Sequence, residues 1–349
     1  MPITLAPPDT ALGESMKSET PYIGMDTHDG HSQVAVMGSD GTILEERRVT
    51  DADLSEFARE FAGSPVAIEA TGFYRHVYET LDEYMDVTLV NPKKTRVIAE
   101  ASVKTDKIDA QMLAHLLRAN LVAESYVPPR DIREQRDLVR TRKTLVEDRT
   151  RVKSRVRAVL KRTGNQYRSE LFGPTGREFL AELSLADTDR VIVETYLDVV
   201  DTYDKQIAVL DREIEAVARE SAAAKLLQTI PGVGAFSAVL LTAEIGDVTR
   251  FSSHEKLVSY AGLNPTVRQS SDHETRGGIS KEGSAAMRWV LTQCVNTAVT
   301  CGNEYLAEFY ERLKRRKNHQ IAVVATARKL LVSIYYMLTR EEKYAPPVS

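Results

Sequence analysis

The chain has 349 residues, with 46 Lys and Arg against 50 Asp and Glu, a formal net charge of −4. That length corresponds to two or three domains and buries a core without disulfide or metal staples. With 28% charged and 42% apolar residues, the composition excludes a largely disordered or collagen-like chain. No run is read as reaching the roughly 20 apolar residues of a membrane span, so no membrane partner is expected. Two cysteines exclude a disulfide framework and fit a reducing, cytoplasmic setting.

The average charge conceals sorting along the chain. Residues 130–162 carry 13 basic and 5 acidic side chains, and 177–220 carry 5 basic and 12 acidic. Residues 312–329 carry 7 basic and none acidic. Residues 1–20 lack the apolar core of a signal peptide and read as a disordered tail.

The next hundred residues read as α/β. Apolar 22–25 is a strand, and 33–37 with 42–47 alternate about the turn Gly38-Ser39-Asp40-Gly41 as a hairpin. Helical spacing follows over 54–61, a strand over 65–68, a helix over 74–84, and a strand over 87–90 stopped by Asn91-Pro92. A helix over 106–120 completes the set. Three strands, a helix, then alternating strands and helices predict a mixed sheet with helices on both faces. That order resembles the ribonuclease H-like fold.

Four carboxylates stand out in this region. Asp26 follows the first strand, Glu69 ends the strand Val66-Ala67-Ile68, and Asp106 and Asp109 share one face at the start of a helix. Taken singly, each reads as a solvated acid, and the helical pair as a cap. Taken together on this element order, they predict a metal site. Mg²⁺ takes carboxylate oxygens and water, and two such ions stabilise attacking and leaving oxygens in phosphodiester chemistry. His28 and His31 read as part of a polar hairpin entry, with no zinc site.

Pro128-Pro129 marks a boundary, and two long helices follow it. Leu138, Leu145, Val152 and Val159 recur every seven residues in the first. Tyr196, Val200, Tyr203, Ile207, Leu210, Ile214 and Val217 alternate steps of four and three in the second, a heptad seam. Glycine-bearing 163–175 is the connector. A coiled-coil hairpin or dimerising arm is predicted.

The last third is mainly helical. Pro231-Gly232-Val233-Gly234 reads either as a phosphate-cradling turn at a helix N-terminus or as an ordinary interhelical turn. Residues 264–283 read as a polar, glycine-bearing loop. There Ser270 and Ser271 lie among Arg268, Arg276 and Lys281, the residue types needed to activate a serine and neutralise a phosphate. The run Arg312, Lys314, Arg315, Arg316, Lys317 reads by default as a solvated face. Cys294 and Cys301, seven apart, read as core packing rather than metal ligands.

Several of these segments together resemble the DEDD transposases of the insertion-sequence 110 family. They are Gly24-Met25-Asp26, Glu69-Ala70-Thr71-Gly72, Lys104-Thr105-Asp106-Lys107-Ile108-Asp109-Ala110, Pro231-Gly232-Val233-Gly234, Ala261-Gly262-Leu263-Asn264-Pro265 and Gly278-Ile279-Ser280-Lys281-Glu282-Gly283. The resemblance implies a RuvC-like catalytic domain over 21–127, a coiled-coil arm over 128–222 and a helical transposase domain over 223–349. It implies that Asp26, Glu69, Asp106 and Asp109 hold Mg²⁺, as two ions that Mn²⁺ can replace. It implies a serine nucleophile, placed at Ser270 because family members carry Gly at the position that is Ser271 here.

The same resemblance implies DNA insertion and excision guided by a structured RNA from the element's noncoding end. Guide pairing would read the sequence, as in other RNA-guided systems. A homo-dimer or tetramer, cytoplasmic and nucleoid-associated, follows. Nucleic-acid contacts are expected at Arg149, Lys153 and Arg157 on the arm, at Gly232 and Gly234, and at Arg268, Arg276 and Lys281. The alternatives are a junction-resolving nuclease using carboxylates and water, an actin-like sugar kinase lacking its glycine-rich loop, and a non-catalytic nucleic-acid binder.

Overall fold

The structure is a computed structural model that describes residues 20–98, 105–270 and 273–346, and only the backbone of 96–98, 267–270 and 273–276. The tail expected over 1–20, apart from Thr20, and also Lys104 and Ser271 lie outside the described residues. The chain forms two compact units, Met1–Val127 and Pro128–Ser349.

The first unit is a five-stranded sheet of order β3-β2-β1-β4-β5. Its strands are β1 (Tyr22–His28), β2 (His31–Met37), β3 (Ile43–Thr50), β4 (Pro65–Glu69) and β5 (Asp86–Val90). The first three are antiparallel to one another, whereas β1, β4 and β5 run parallel. Helices α1 (Leu54–Glu60) and α2 (Tyr74–Leu81) cover one face. There Leu54, Phe57, Val77 and Leu81 meet Ile23, Met25, Val34, Val66 and Ile68. Two further helices follow β5, α3 (Pro92–Ile98), which the sequence pattern did not show, and α4 (Asp106–Arg118).

Helix α4 packs on β1, β2 and β4 from the opposite face. The contact is unusually close at one residue. A Cβ on Gly24 would overlap the backbone at Ala110 and Ala114. Only a residue without a side chain lets the helix rest directly on β1. Residues along a strand alternate faces. Gly24 faces α4, so Asp26 and His28 are on that face, while Ile23 and Met25 serve the other core. On β4, Ala67 packs beneath α4 with Leu113, which puts Glu69 on the same side.

The second unit is helical apart from one hairpin. It begins with α5 (Arg130–Arg162), α6 (Pro174–Glu182), which occupies the end of the expected connector, and α7 (Asp187–Glu220). It continues with α8 (Ala222–Leu227), α9 (Ala235–Ile245) and α10 (His254–Tyr260). The hairpin β6 (Pro265–Ser270) and β7 (His273–Ile279) follows, then α11 (Ala285–Thr300), α12 (Glu304–Lys314) and α13 (His319–Arg340).

Within 264–283, expected as a loop, residues 265–270 and 273–279 thus form a two-stranded antiparallel sheet. It lacks the alternating apolar residues of a half-buried strand, so its pattern could not announce it. Helix α13 is long and apolar enough, by length and composition, to cross a membrane, contrary to the expectation that no run reaches this. Its Ala327, Leu330, Leu331 and Ile334 are wholly buried in the helical core.

Helices α5 and α7 pack against each other. On α7, Val193, Val200, Ile207 and Ile214 are buried, one residue in every seven. On α5 the buried set is Val139, Val152, Val156, Val159 and Leu160, while Leu138 is only partly buried. At one end of the pair, Val139, Ile214 and Ala218 belong to the main helical core. At the other, Val156, Val159, Leu160 and Val193 form a separate small core with Leu171 and Leu180.

Candidate functional site: an acidic strand end and a charged helical unit

Parallel pairing sets Met25 beside Ile68, so Asp26 and Glu69 leave the sheet at the same end of neighbouring strands. The N-terminus of α4 lies against β1 through Gly24. Thr105 caps that helix, its Oγ1 accepting from the Ile108 N–H at 3.3 Å, and Asp106 and Asp109 occupy the first turn. Acids in a first helical turn face the positive end of the helix dipole. Strand and helix therefore bring three of the four expected carboxylates into one another's field.

The geometry is specific. His28 Nε2 lies 3.1 Å from Asp26 Oδ2 and 3.5 Å from Asp106 Oδ2. Asp26, His28 and Asp106 each offer a donor atom within 4.8 Å of the others. Among the described residues that cluster does not include Glu69 or Asp109. Glu69 stands one strand away at the same sheet end, and Asp109 acts on Asp26 through its charge. Thr27 Oγ1 lies 3.0 Å from Thr71 Oγ1, which ties β1 to the segment just after Glu69.

Asp26 is 8% exposed. Burial pushes its carboxyl above the usual carboxylate range, His28 pulls it down, and Asp109 and Asp106 push it up again. A buried carboxylate crowded by like charge is the electrostatic condition that a divalent cation relieves. The donors fit such an ion, with hard oxygens from Asp26 and Asp106 and one imidazole nitrogen.

His28 sits at the polar β1–β2 hairpin entry, as the sequence predicts, and also reaches Asp26 and Asp106, which the sequence does not announce. The signal was Asp-x-His at a strand end, a spacing that puts both side chains on one face. His28 also stacks on His31 across the β1–β2 hairpin, with ring centroids 5.2 Å apart. It lines an open cleft with Asp29, Phe73, Arg75 and His76.

In the second unit, Ser270 pairs in register with His273, Arg268 with Thr275, and Val267 with Arg276. The hairpin is fastened at its base. The Ser280 N–H donates to the Asn264 carbonyl at 2.9 Å, and Ser280 Oγ to Asn264 Oδ1 at 2.9 Å. The Lys281 N–H donates to the Gly262 carbonyl, and Arg288 Nη1 to the Ala261 and Gly283 carbonyls. Segments 261–265 and 278–283, separate motifs in the sequence, are thus one joint in the fold. Lys281 is exposed there.

In the Pro-Gly turn, Gly232 has φ +97° and faces α11, where a Cβ would collide with the Ala298 backbone. Gly234, the N-cap of α9, has open space around it. The structure thus places Gly232 against protein and leaves Gly234 facing outward.

The arm's charges are engaged internally. Arg142 Nε donates to Asp211 at 2.8 Å, and Arg149 and Arg162 pair with Asp204 and Asp189. Seven residues forward on α5, from Arg142 to Arg149, match seven back on α7, from Asp211 to Asp204. This is the signature of antiparallel helices. Lys153 and Arg157 sit over the Phe172 ring at 4.9 and 5.0 Å. The basic 130–162 and acidic 177–220 segments thus meet each other.

Near the base, Arg140 Nε and Nη2 donate to Glu244 at 2.7 and 2.9 Å, and Glu244 is wholly buried. Arg136 donates to the Ala243 and Glu244 carbonyls. Cys294 is buried, its thiol pushed up to about 11 by burial, while Cys301 is exposed rather than packed in the core.

An acidic donor cluster on a strand end can hold a divalent cation, the chemistry of metal-assisted phosphoryl transfer. Comparison with known proteins gives the class. A family model described as a transposase, of the DEDD type named for IS110, matches residues 23–165. A second, described as "Transposase IS116/IS110/IS902 family", matches residues 224–311, and the two together take in more than half of the chain.

The chain is 26% identical over 340 residues to the transposase for insertion sequence element IS1111A of Coxiella burnetii, covering 95% of this chain and 92% of that one. It is 25% identical over 343 residues to a probable family 20 transposase of Pseudomonas aeruginosa, covering 93% and 98%. Over 125 residues it is 34% identical to the pilin gene-inverting protein of Moraxella bovis, covering 34% and 38%. The chain belongs to the IS110/IS116/IS902 family of transposases, enzymes that cleave and rejoin DNA.

Proposed function

We propose that this transposase inserts and excises its own insertion sequence, using a Mg²⁺-holding acidic site in the first unit and a serine nucleophile in the second. The observation that carries this reading is the meeting of Asp26, His28 and Asp106 at the end of β1. Strand order 3-2-1-4-5, with β2 antiparallel to β1, supports a ribonuclease H-like, RuvC-like assignment. Asp26 and Asp106 would hold the metal, with Glu69 and Asp109 completing the acidic set. When bound, the cation supplies Lewis-acid stabilisation of phosphate oxygens.

The His28 imidazole nitrogen would be the third donor beside the Asp26 and Asp106 oxygens. Ser270 Oγ attacks the phosphorus. An Oγ–P ester bond forms as the strand's P–O bond breaks, and the proton lost by the serine ends on the departing strand oxygen, which leaves as a hydroxyl that can later attack the ester to rejoin DNA. Arg268, Arg276 and Lys281 neutralise the phosphate charge. Guidance by an element-encoded RNA, a homo-oligomer dimerised through a coiled-coil arm, and a cytoplasmic, nucleoid-associated location rest on the resemblance to insertion-sequence 110 transposases.

The test is recombination between a donor and a target plasmid that carry the element's flanking DNA. Asp26→Ala reduces the product more than about a hundredfold, beyond what loss of an outer partner of a metal ligand costs. Ser270→Ala removes the covalent protein–DNA band on denaturing gels. Full activity in Ser270→Ala, with cleavage and no covalent band in the wild type, gives the junction-resolving nuclease instead.

A further inference from the structure

The cations of α5 are nearly all engaged. Arg130, Lys143 and Arg151 pair along the helix, Arg142, Arg149 and Arg162 pair across to α7, and Lys153, Arg155 and Arg157 lie over aromatic rings. The basic turn between α12 and α13 differs. Arg315, Arg316 and Lys317 are exposed, and among the described residues their side chains have no ion pair, hydrogen bond or ring contact. Arg312 and Lys314 flank them, lying over Phe309 and Tyr310 at 5.3 Å each. Glu311, on Lys314 at 3.5 Å, is the acid paired here.

The turn is also built rather than loose. The Arg316 and Lys317 N–H groups donate to the Leu313 carbonyl at 3.0 and 2.9 Å. Asn318 caps α13, its Oδ1 accepting from the Ile321 N–H at 2.9 Å. Tyr310, 6% exposed, has its hydroxyl 2.7 Å from His319 Nδ1, which pins the end of α12 to the start of α13. Lys329 of α13 lies over Tyr305 and Phe309 of α12 at 5.4 and 5.7 Å, extending the same charge along the helix pair.

The geometry points to this elbow, Arg315-Arg316-Lys317 flanked by Arg312 and Lys314, as a docking surface for the phosphate backbone of duplex DNA. Three free cations on a fixed backbone, outnumbering the exposed Glu308 and Glu311 of the preceding helix, suit a polyanion whose charges recur about every 1.7 Å along its axis. Contacts of this kind position a duplex without reading its sequence. The inference rests on DNA as the substrate of the family, and not on the metal or serine assignments.

The test uses the full purified chain, chelator, and a labelled duplex of arbitrary sequence, with affinity read by fluorescence anisotropy from about 50 to about 200 mM salt. The variant Arg315→Gln/Arg316→Gln/Lys317→Gln is compared with Arg149→Gln/Arg157→Gln on the arm. In the elbow variant the slope of log K on log salt falls by about 2.7, roughly 0.9 for each phosphate no longer neutralised. In the arm variant it falls by less than about 1 on the same scale.

A double-stranded RNA of equal length is the second probe. Weaker binding to DNA, with or without equally weaker binding to RNA, supports the assignment. Weaker binding to RNA alone, an unchanged slope, or an equal or larger fall in the arm variant overturns it. Binding is read without metal or strand cleavage, so inactivity of Asp26→Ala or Ser270→Ala leaves the result untouched, and the converse holds.

Discussion

The end of β1 and the α5–α7 pair handle charge in opposite ways. At the strand end Asp26, Asp106 and Asp109 are crowded together, with His28 as the polar group between two of them. Along the helices each concentration of positive charge faces acids of the partner helix, as in Arg142–Asp211 and Arg149–Asp204. The first arrangement costs free energy that a divalent cation at the cluster would relieve. The second is complete without one. Segment charge alone does not distinguish them, because 130–162 is far more strongly charged than the acidic corner. What marks a site is charge the fold leaves uncompensated.

The comparison breaks most visibly where a paired charge is deprived of its partner. Arg140→Ala leaves Glu244 wholly buried and uncompensated. The expected loss is about 3 kcal/mol, the low end for one member of a buried pair, because Arg140 is itself half exposed. Urea denaturation of the full chain measures it. A loss below about 0.5 kcal/mol, typical of an exposed pair, would show that water reaches Glu244 and that this base contact is a surface bridge.

A smaller effect tests the acidic corner. Gly24→Ala drives a methyl into the α4 backbone at Ala110 and Ala114. Overpacking of this kind costs about 1–3 kcal/mol, and here it also moves Asp106 relative to Asp26. Recombination should therefore fall further than the melting temperature alone accounts for. Loss of stability with full activity would mean that the helix need not touch the strand.

The subtlest test is pH. Asp26 holds its proton to higher pH in the fold than in the unfolded chain, because burial raises its carboxyl. Its contribution is therefore most favourable in acid, below the ordinary value of 3.8, and is lost as pH rises through the raised value. In chelator, Asp26→Asn should gain stability over wild type near neutrality, and the gap should close in acid. A gap that widens in acid reverses the sign and shows that the corner is not crowded.

Much of the first unit was legible because its elements carry their own periodicity. The expected strands at 65–68 and 87–90 are β4 and β5 with one residue added each, and Leu54 and Tyr74 start helices as expected. The β6–β7 hairpin was not legible, since Pro-Thr-Val-Arg-Gln-Ser and His-Glu-Thr-Arg-Gly-Gly-Ile offer no apolar face to either side. Of the acidic set, Asp26 and Asp106 were found from residue type and element order, and the structure brings them together. The hairpin position of His28 was legible, but its approach to Asp106 was not, because one histidine at a strand end has many ordinary explanations. The pairing of Arg149 with Asp204 depends on a register between helices some fifty residues apart, which segment charge does not contain.

The small core at the far end of the arm carries a last implication. At about 1.5 Å per residue the 34 residues of α7 extend roughly 50 Å. One end is anchored in the main helical core by Ile214 and Ala218, and the other in a separate cluster around Leu171 and Leu180. Two cores on one pair of helices make two cooperative units. The distal one can open and exchange its amide hydrogens while the base around Glu244 stays closed.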